Sequence, residues 1–339
     1  MKDLSPETIH KIKTGQDATL EELKPLLRPE GVQNGVMMVD AEKCTSCGLC
    51  IKNCPFKCWE MGENKIPKLK DDYACFSCSN CMVVCPVDAV SMVQPYRVEG
   101  GFFDTGFPEY RMPETPKDAE GKPAEYNEVE RVILNRRSVR NFKADPVPEP
   151  FINRIIEAGR FAPSGGNTQP WKFAVVTDKA FIQEMEEACY DINSGLYNLY
   201  AKEETLMNFV EAAGKPLPVS LCDYRVIGGG FRAVARRELP IFLNAPCVIF
   251  MAGNDKLTFP DLNVGICGQN MNLVAMSLGL GFCWNNFGAS VTHVPEIMEK
   301  LGFGEDWRVV STAAIGFPKF KQQGMVPRMY RPVTWIRPF

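Results

Sequence analysis

Residues 44–55 read CTSCGLCIKNCP, and residues 75–86 read CFSCSNCMVVCP. Both have the form C-x2-C-x2-C-x3-C-P, and the second repeats the first at an offset of 31 residues, Cys44 to Cys75. A tight loop with thiolates at every third residue can wrap three corners of an object a few ångströms across. The fourth ligand has to come from elsewhere in the chain. That requirement points to iron–sulfur clusters, which take four cysteines each. Zinc is the competing reading, but zinc motifs pair two CxxC units and do not pack four cysteines into eleven residues.

The segment closely resembles the bacterial two-cluster ferredoxins, in which the fourth cysteine of each run ligates the other cluster. The resemblance implies one [4Fe–4S] cluster on Cys44, Cys47, Cys50 and Cys85, and a second on Cys75, Cys78, Cys81 and Cys54. Pro55 and Pro86 then turn the chain away after each crossing ligand. Overlaying CPFKCW on CPVDAV puts Cys58 in the place of Ala89. Cys58 therefore reads as a small, buried helical position and not as a further ligand.

A chain of 339 residues is too long for one ordinary core and suggests two domains with a terminal extension. With 45% hydrophobic and 23% charged residues, disorder is excluded as the main state, and a net charge of −3 leaves no footprint for nucleic acid. The N-terminus has scattered charges and no apolar h-region, and APCVIFMAG at 245–253 is too short to span a bilayer, so a cytoplasmic protein is expected. Of fourteen cysteines, nine lie between 44 and 85 and five are scattered singly, which suits reduced, metal-binding thiols better than a disulfide framework.

Four segments follow from the pattern. Residues 1–35 form a polar helical extension, with Ser5-Pro6 as a helix start and capping-box spacing at Thr19–Glu22. Residues 36–97 are the cluster domain, and the Gly/Pro-rich, charged stretch 98–127 is a linker or arm. From 128 to 339 helices alternate with buried strands. Val129, Val132 and Ile133 share one helical face, as do Phe151, Ile152, Ile155 and Ile156. WKFAVVTD (171–178), PCVIFMA (246–252) and WRVVSTAAIGF (307–317) read as strands, and DLNVGICGQNMNLVAMSLGLG as a long core helix. The fold class expected is α+β.

In RRSVRNF, Arg136, Arg137 and Arg140 flank Ser138, a donor set able to grip a phosphate. APSGGNTQPW follows, with Gly165-Gly166 allowing close backbone approach to a flat ligand and Asn167 and Gln169 offering amide donors and acceptors. Taken in order with LGLGFCWNNF and VPRMYRP, these motifs resemble the nitroreductase family over residues 128–339. That resemblance implies an α+β homodimer with FMN at its interface. It implies FMN contacts at Arg136, Arg137, Ser138, Arg140, Ser164, Asn167 and Gln169, and along Cys283, Trp284, Asn285 and Asn286. Basic phosphate contacts follow at Arg328 and Arg331. The stretch 215–239, with a GGG hinge and Arg232, Arg236 and Arg237, matches no motif and is expected to bear on substrate choice.

Neither His10 nor His293 belongs to a Ser/His or Cys/His arrangement, so acyl transfer has no visible parts and no catalytic side chain is assigned. The expected activity is two-electron reduction of a small, electron-poor organic acceptor such as a nitroaromatic, quinone or enone. Electrons would come from ferredoxin or a similar carrier through the two clusters to FMN. Two alternatives stand beside it: an NAD(P)H-oxidising flavoprotein that sends electrons out through the clusters to a protein partner, and a flavin/iron–sulfur redox sensor.

Overall fold

The computed structural model describes residues 5–7, 32–98, 110–201, 232–322, 324–330 and 333–337. The helix expected around Thr19–Glu22 and residues 215–231 of the unmatched stretch lie outside the described residues. The chain divides into two compact units. One holds the described residues up to Tyr126, the helical residues 198–201 and the described residues after Gln322; the other holds Asn127–Tyr197 and the described residues up to Gln322. One junction between the units falls at Tyr126 and Asn127, and the described residues after Gln322 group with the first unit.

The first unit is a small duplicated frame. Strands β1 (Val32–Gln33) and β2 (Val36–Val39) lead into the first cysteine loop and helix α1 (Leu49–Asn53). A hairpin follows, β3 (Trp59–Met61) with β4 (Pro67–Leu69), then the second loop and α2 (Asn80–Val83). Strand β5 (Val90–Gln94) returns antiparallel to β2, and β6 (Arg97–Val98) pairs with β1. The repeat is visible in the backbone. Ser46 and Ser77, Gly48 and Ser79, and Lys57 and Asp88 all have positive φ, between 49° and 67°, at matching places in the two halves. Five of these six are not glycine, so the loops hold a conformation that L-residues rarely adopt. Asn53, wholly buried, ties the halves together by donating to the carbonyl of Asn80 at 3.0 Å. Strand β7 (Tyr110–Arg111) lies in the arm.

The second unit begins with α3 (Glu128–Asn135), started by a reciprocal capping box between Asn127 and Glu130. Its apolar face carries Val129 and Ile133, and both are exposed. Helix α4 (Glu149–Arg160) buries Ile152 and Ile155. A single 3-10 turn, Gly165–Asn167, precedes strand β8 (Trp171–Val176). Long helix α5 (Lys179–Ala201), short helix α6 (Arg232–Ala235), strand β9 (Cys247–Asn254) and helix α7 (Pro260–Ser277) come next. Strand β10 (Gly281–Asn285), helix α8 (Pro295–Lys300) and strand β11 (Trp307–Gly316) complete the unit. In the first unit, β12 (Arg328–Met329) pairs antiparallel with β7.

Four strands form one antiparallel sheet in the order β10-β11-β9-β8. The near-unbroken apolar run of β9 fits its central place, since both of its faces are covered. Ile249, Phe250 and Met251 are fully buried, each contributing about 1.5–3 kcal/mol. Helix α7 buries Asn263, Val264, Cys267, Gly268, Met271, Asn272 and Ala275, a helical spacing that presents one continuous face to the core. No described helix is long and apolar enough to cross a membrane.

Two consequences of this packing can be measured. A Cβ on Gly268 would stand 2.3 Å from the ring of Trp284, so Gly268→Ala forces the indole to move. It is expected to destabilise the protein by about 1–3 kcal/mol in urea denaturation, and an unchanged midpoint would show that the ring has room. Glu186 on α5 accepts the N–H of Phe242 at 2.9 Å. Burial nevertheless holds its carboxyl above the usual range, against the pull of the Phe242 and Ile241 N–H groups. A folded value above the unfolded one means a contribution present at low pH and lost as pH rises through the folded value. Glu186→Gln keeps an acceptor without the charge. Its Tm relative to wild type is expected to rise from about pH 4 to about pH 7, and a difference independent of pH would contradict this.

Candidate functional site

The eight motif cysteines line two small cavities. Cys44, Cys47, Cys50 and Cys85 surround one, with Val39, Leu49, Val87 and Val90 among its walls. Cys54, Cys75, Cys78 and Cys81 surround the other, with Met37, Phe56, Trp59 and Phe76. Each cavity takes three sulfurs from one loop and the fourth from the other half of the repeat. Backbone N–H groups point at the sulfurs in matched pairs. Ser46 donates to Cys44 and Ser77 to Cys75, both at 3.4 Å; Cys58 donates to Cys54 at 3.5 Å and Ala89 to Cys85 at 3.2 Å.

Among the described residues no group of three or more His, Cys, Asp or Glu is placed to hold a single metal ion. Four thiols around each cavity match the ligand number of a [4Fe–4S] cluster. Apolar walls, N–H donors and four sulfurs make a donor set that fits [4Fe–4S]. Burial pushes the Cys50 thiol up to about 11 and Cys81 higher still, so bound iron would be needed to hold them as thiolates. Cys54 and Cys75 move the other way, Cys54 to about 6, because the Cys58 thiol hydrogen-bonds both.

Cys58 is buried as expected but is not helical. The chain turns at Pro55 and passes through left-handed Lys57, so Cys58 lies just ahead of β3. Gly35 is needed for close approach. Its N–H donates to the carbonyl of Cys75 at 2.9 Å, and a Cβ there would fall 2.2 Å from Ser77 Oγ. That hydroxyl already accepts the Tyr96 N–H at 2.7 Å.

In the second unit, residues 136–140 run alongside β10. Ser138 bridges Phe282, and Val139 donates its N–H to the Phe282 carbonyl at 3.2 Å. Arg136 and Arg140 are half-buried, and both guanidinium groups act on the buried Cys283 thiol, tending to lower its pKa against the effect of burial. Arg137 is only 4% exposed, and its guanidinium donates to the carbonyls of Leu134 and Arg136 at the end of α3. Asn285 is also turned inward. Its amide donates to the Ile241 carbonyl, and its Oδ1 accepts the Phe287 N–H at 3.0 Å. Asn286 is exposed, with its Oδ1 accepting from Ser311 Oγ at 2.6 Å, and Trp284 is half-buried over Gly268.

The loop 164–169 is held by local hydrogen bonds. Ser164 Oγ accepts the Gln169 N–H at 3.0 Å, and Asn167 Oδ1 accepts from the Gln169 amide at 3.4 Å. Gly166, Asn167 and Gln169 have φ of 58°, 54° and 48°, so two side chains are held in left-handed backbone and exposed. Sequence reasoning missed Asn263, which anchors the loop. It is buried, accepts the Gly165 N–H at 3.3 Å and donates to the Thr258 carbonyl at 2.8 Å. A polar residue on the buried face of α7 was the available signal.

The structure does not bring the two motifs together within one chain. Gly165 is tied to the first turn of α7, while Val139 packs on Gly281, just past its last turn. The 18 residues between those ends span about 27 Å. Arg328 belongs to the first unit, exposed in β12 opposite Arg111, and Arg331 lies outside the described residues. Of the unmatched stretch, Arg237 pairs with Glu187 at 2.8 Å and stacks over Tyr190, and Arg236 is exposed.

Models described as 4Fe-4S binding domain match residues 35–56 and 72–88. Nitrobenzene nitroreductase of Ectopseudomonas oleovorans is 25% identical over 203 residues, covering 56% of this chain and 86% of that protein. Chloronitrobenzene nitroreductase of Comamonas testosteroni is 27% identical over 199 residues, with coverage of 56% and 86%. The structure of a nitroreductase with bound FMN from Bacteroides fragilis aligns with 62% of this chain and all of its own, at 22% identity and a TM-score of 0.47. The nitroreductase family model matches residues 133–317, more than half of the sequence, and the chain is a member of that oxidoreductase family, carrying two 4Fe–4S binding segments ahead of the family domain.

Proposed function

We propose that this protein is an FMN- and iron–sulfur-dependent oxidoreductase that reduces a small, electron-poor organic acceptor by two electrons. A one-electron, low-potential carrier such as reduced ferredoxin supplies the electrons through two [4Fe–4S] clusters. The observation that carries the reading is the pair of four-cysteine cages on the same chain as a nitroreductase-family domain. When bound, clusters exchange single electrons, while FMN accepts them singly and delivers two together as hydride.

Within this reading each chain's residues divide the work. Cys44, Cys47, Cys50 and Cys85 hold one cluster, and Cys54, Cys75, Cys78 and Cys81 the other. The half-buried guanidinium groups of Arg136 and Arg140 suit the FMN phosphate, with Ser138 between them as a further donor. The exposed amides of Asn167 and Gln169 suit the mixed donor and acceptor edge of the ring. About 27 Å of helix separates the two groups in one chain, which supports a homodimer in which each FMN site draws on both copies. Arg137 and Asn285 hold backbone in place, the Trp284 ring packs on Gly268, and Asn286 is the exposed residue of that segment. Nitroaromatics, the compounds named for two relatives, are the first acceptors to test.

Protein purified without oxygen is expected to contain iron, sulfide and flavin. A reduced low-potential carrier should then bleach the flavin absorbance at least as fast as a nitroaromatic is consumed. A flavin that stays oxidised while the iron centres are fully reduced would overturn the proposal, and faster turnover on NADH or NADPH would reverse the direction of flow. Arg136→Ala and Arg140→Ala should each weaken FMN binding about tenfold to a hundredfold in a fluorescence titration, the effect of losing one charge-assisted hydrogen bond. Unchanged affinity in both would remove these arginines from the site.

A further inference from the structure

One atom breaks the symmetry of the duplicated cages. Position 58 is cysteine, and the equivalent position 89 is alanine. In other respects the two positions match. Each is 2% exposed, each lines its own cavity, and each backbone N–H donates to the crossing cysteine four residues earlier. The Cys58 thiol adds contacts that Ala89 cannot make. It donates to the Ala74 carbonyl at 3.3 Å, and the sulfurs of Cys54 and Cys75, two of the four around the second cavity, also stand within its hydrogen-bonding reach.

The direction of those bonds follows from the chemistry. An iron-bound cysteine is a thiolate without a proton, so between it and Cys58 only Cys58 can donate. A hydrogen bond to cluster sulfur favours the more electron-rich state and thereby raises the reduction potential. The two clusters have the same ligand set and matched backbone N–H donors, so this side-chain donor is a difference the repeat itself does not cancel. The walls differ as well: the Phe56 and Phe76 rings meet at a 58° tilt, centroids 4.7 Å apart, beside the second cavity, where the first has Val87 and Thr45.

We infer that Cys58 is a positioning residue for the second cluster: once Cys54 and Cys75 are thiolates its one S–H turns from the Ala74 carbonyl to these ligand sulfurs and holds that cluster at a higher potential than an alanine in its place would. The inference rests on the proposal that these cages carry [4Fe–4S] clusters. A duplicated motif thereby acquires two inequivalent electron sites.

The test is a redox titration of the full-length protein, purified without oxygen and followed by electron paramagnetic resonance, with iron and sulfide measured first. Cys58→Ala is expected to lower one of the two potentials by about 59 mV, a tenfold change in the reduced-to-oxidised ratio of a one-electron couple, and to leave the other in place. Cys58→Ser, which restores a donor, should recover part of that shift. Ala89→Cys should raise the potential that Cys58→Ala leaves alone. If Cys58→Ala loads both clusters and neither potential moves, the thiol donates to the Ala74 carbonyl and the inference fails. Equal movement of both potentials would also overturn it. Should Cys58→Ala fail to load iron, Ala89→Cys decides alone, and no rise there overturns the inference. Wild-type protein without iron and sulfide would sink the cluster proposal itself, a result distinct from all of these.

Discussion

Neither cysteine cage can be completed by its own half of the repeat. Cys54 leaves the first loop to wall the second cavity, and Cys85 leaves the second loop to wall the first. Both loops must therefore be in place before either cavity has four sulfurs. The crossing couples everything around it: the β2–β5 pairing that closes the frame, the Asn53–Asn80 tie between α1 and α2, and the left-handed residues that aim N–H groups at sulfur. The apolar core here is small, built on Met37, Trp59 and Val90 together with the cysteines. A segment under about 80 residues rarely stabilises itself with so little, so clusters bound across the crossing would contribute folding energy as well as chemistry.

The second unit depends on a different constraint. Strand β9 is covered on both faces and flanked by β8 and β11, and α7 packs along the same core. The contact is close enough that Gly159 and Gly268 leave no room for a methyl group: a Cβ on Gly159 would lie 2.9 Å from Cys267 Sγ. A rigid α7 sets the separation of the two candidate binding motifs, one at each end. It also explains why a polar residue, Asn263, is buried at its start, where it ties down a strained loop that has few other anchors.

Much of this was legible in the residues. The cysteine spacing announced the cages, and the apolar run of β9 announced a strand with both faces covered; β8 and β11 were legible as strands too, although β8 leaves Lys172 and Val175 exposed. The helical periodicity of α4 was equally clear. Less legible were the directions of side chains. Arg137 and Arg140 look alike in the sequence, yet one guanidinium turns back onto the end of α3. Asn285 and Asn286 are neighbours, yet Asn285 ends β10 and is buried, while Asn286 opens the 3-10 helix that follows and is exposed. Val129 and Ile133 form the apolar face that periodicity called for, but the described chain leaves both exposed.

The order of ligands along the chain, the duplicated frame and the membership of the second domain were determined by the sequence alone, because local spacing and hydrophobic pattern are properties of consecutive residues. That Cys58 neighbours two of the second cavity's sulfurs, and that the stretches 136–140 and 164–169 lie at opposite ends of one helix, were decided only in three dimensions. Those relations join residues far apart in the chain, and their geometry is set by the packing of strands and helices between them.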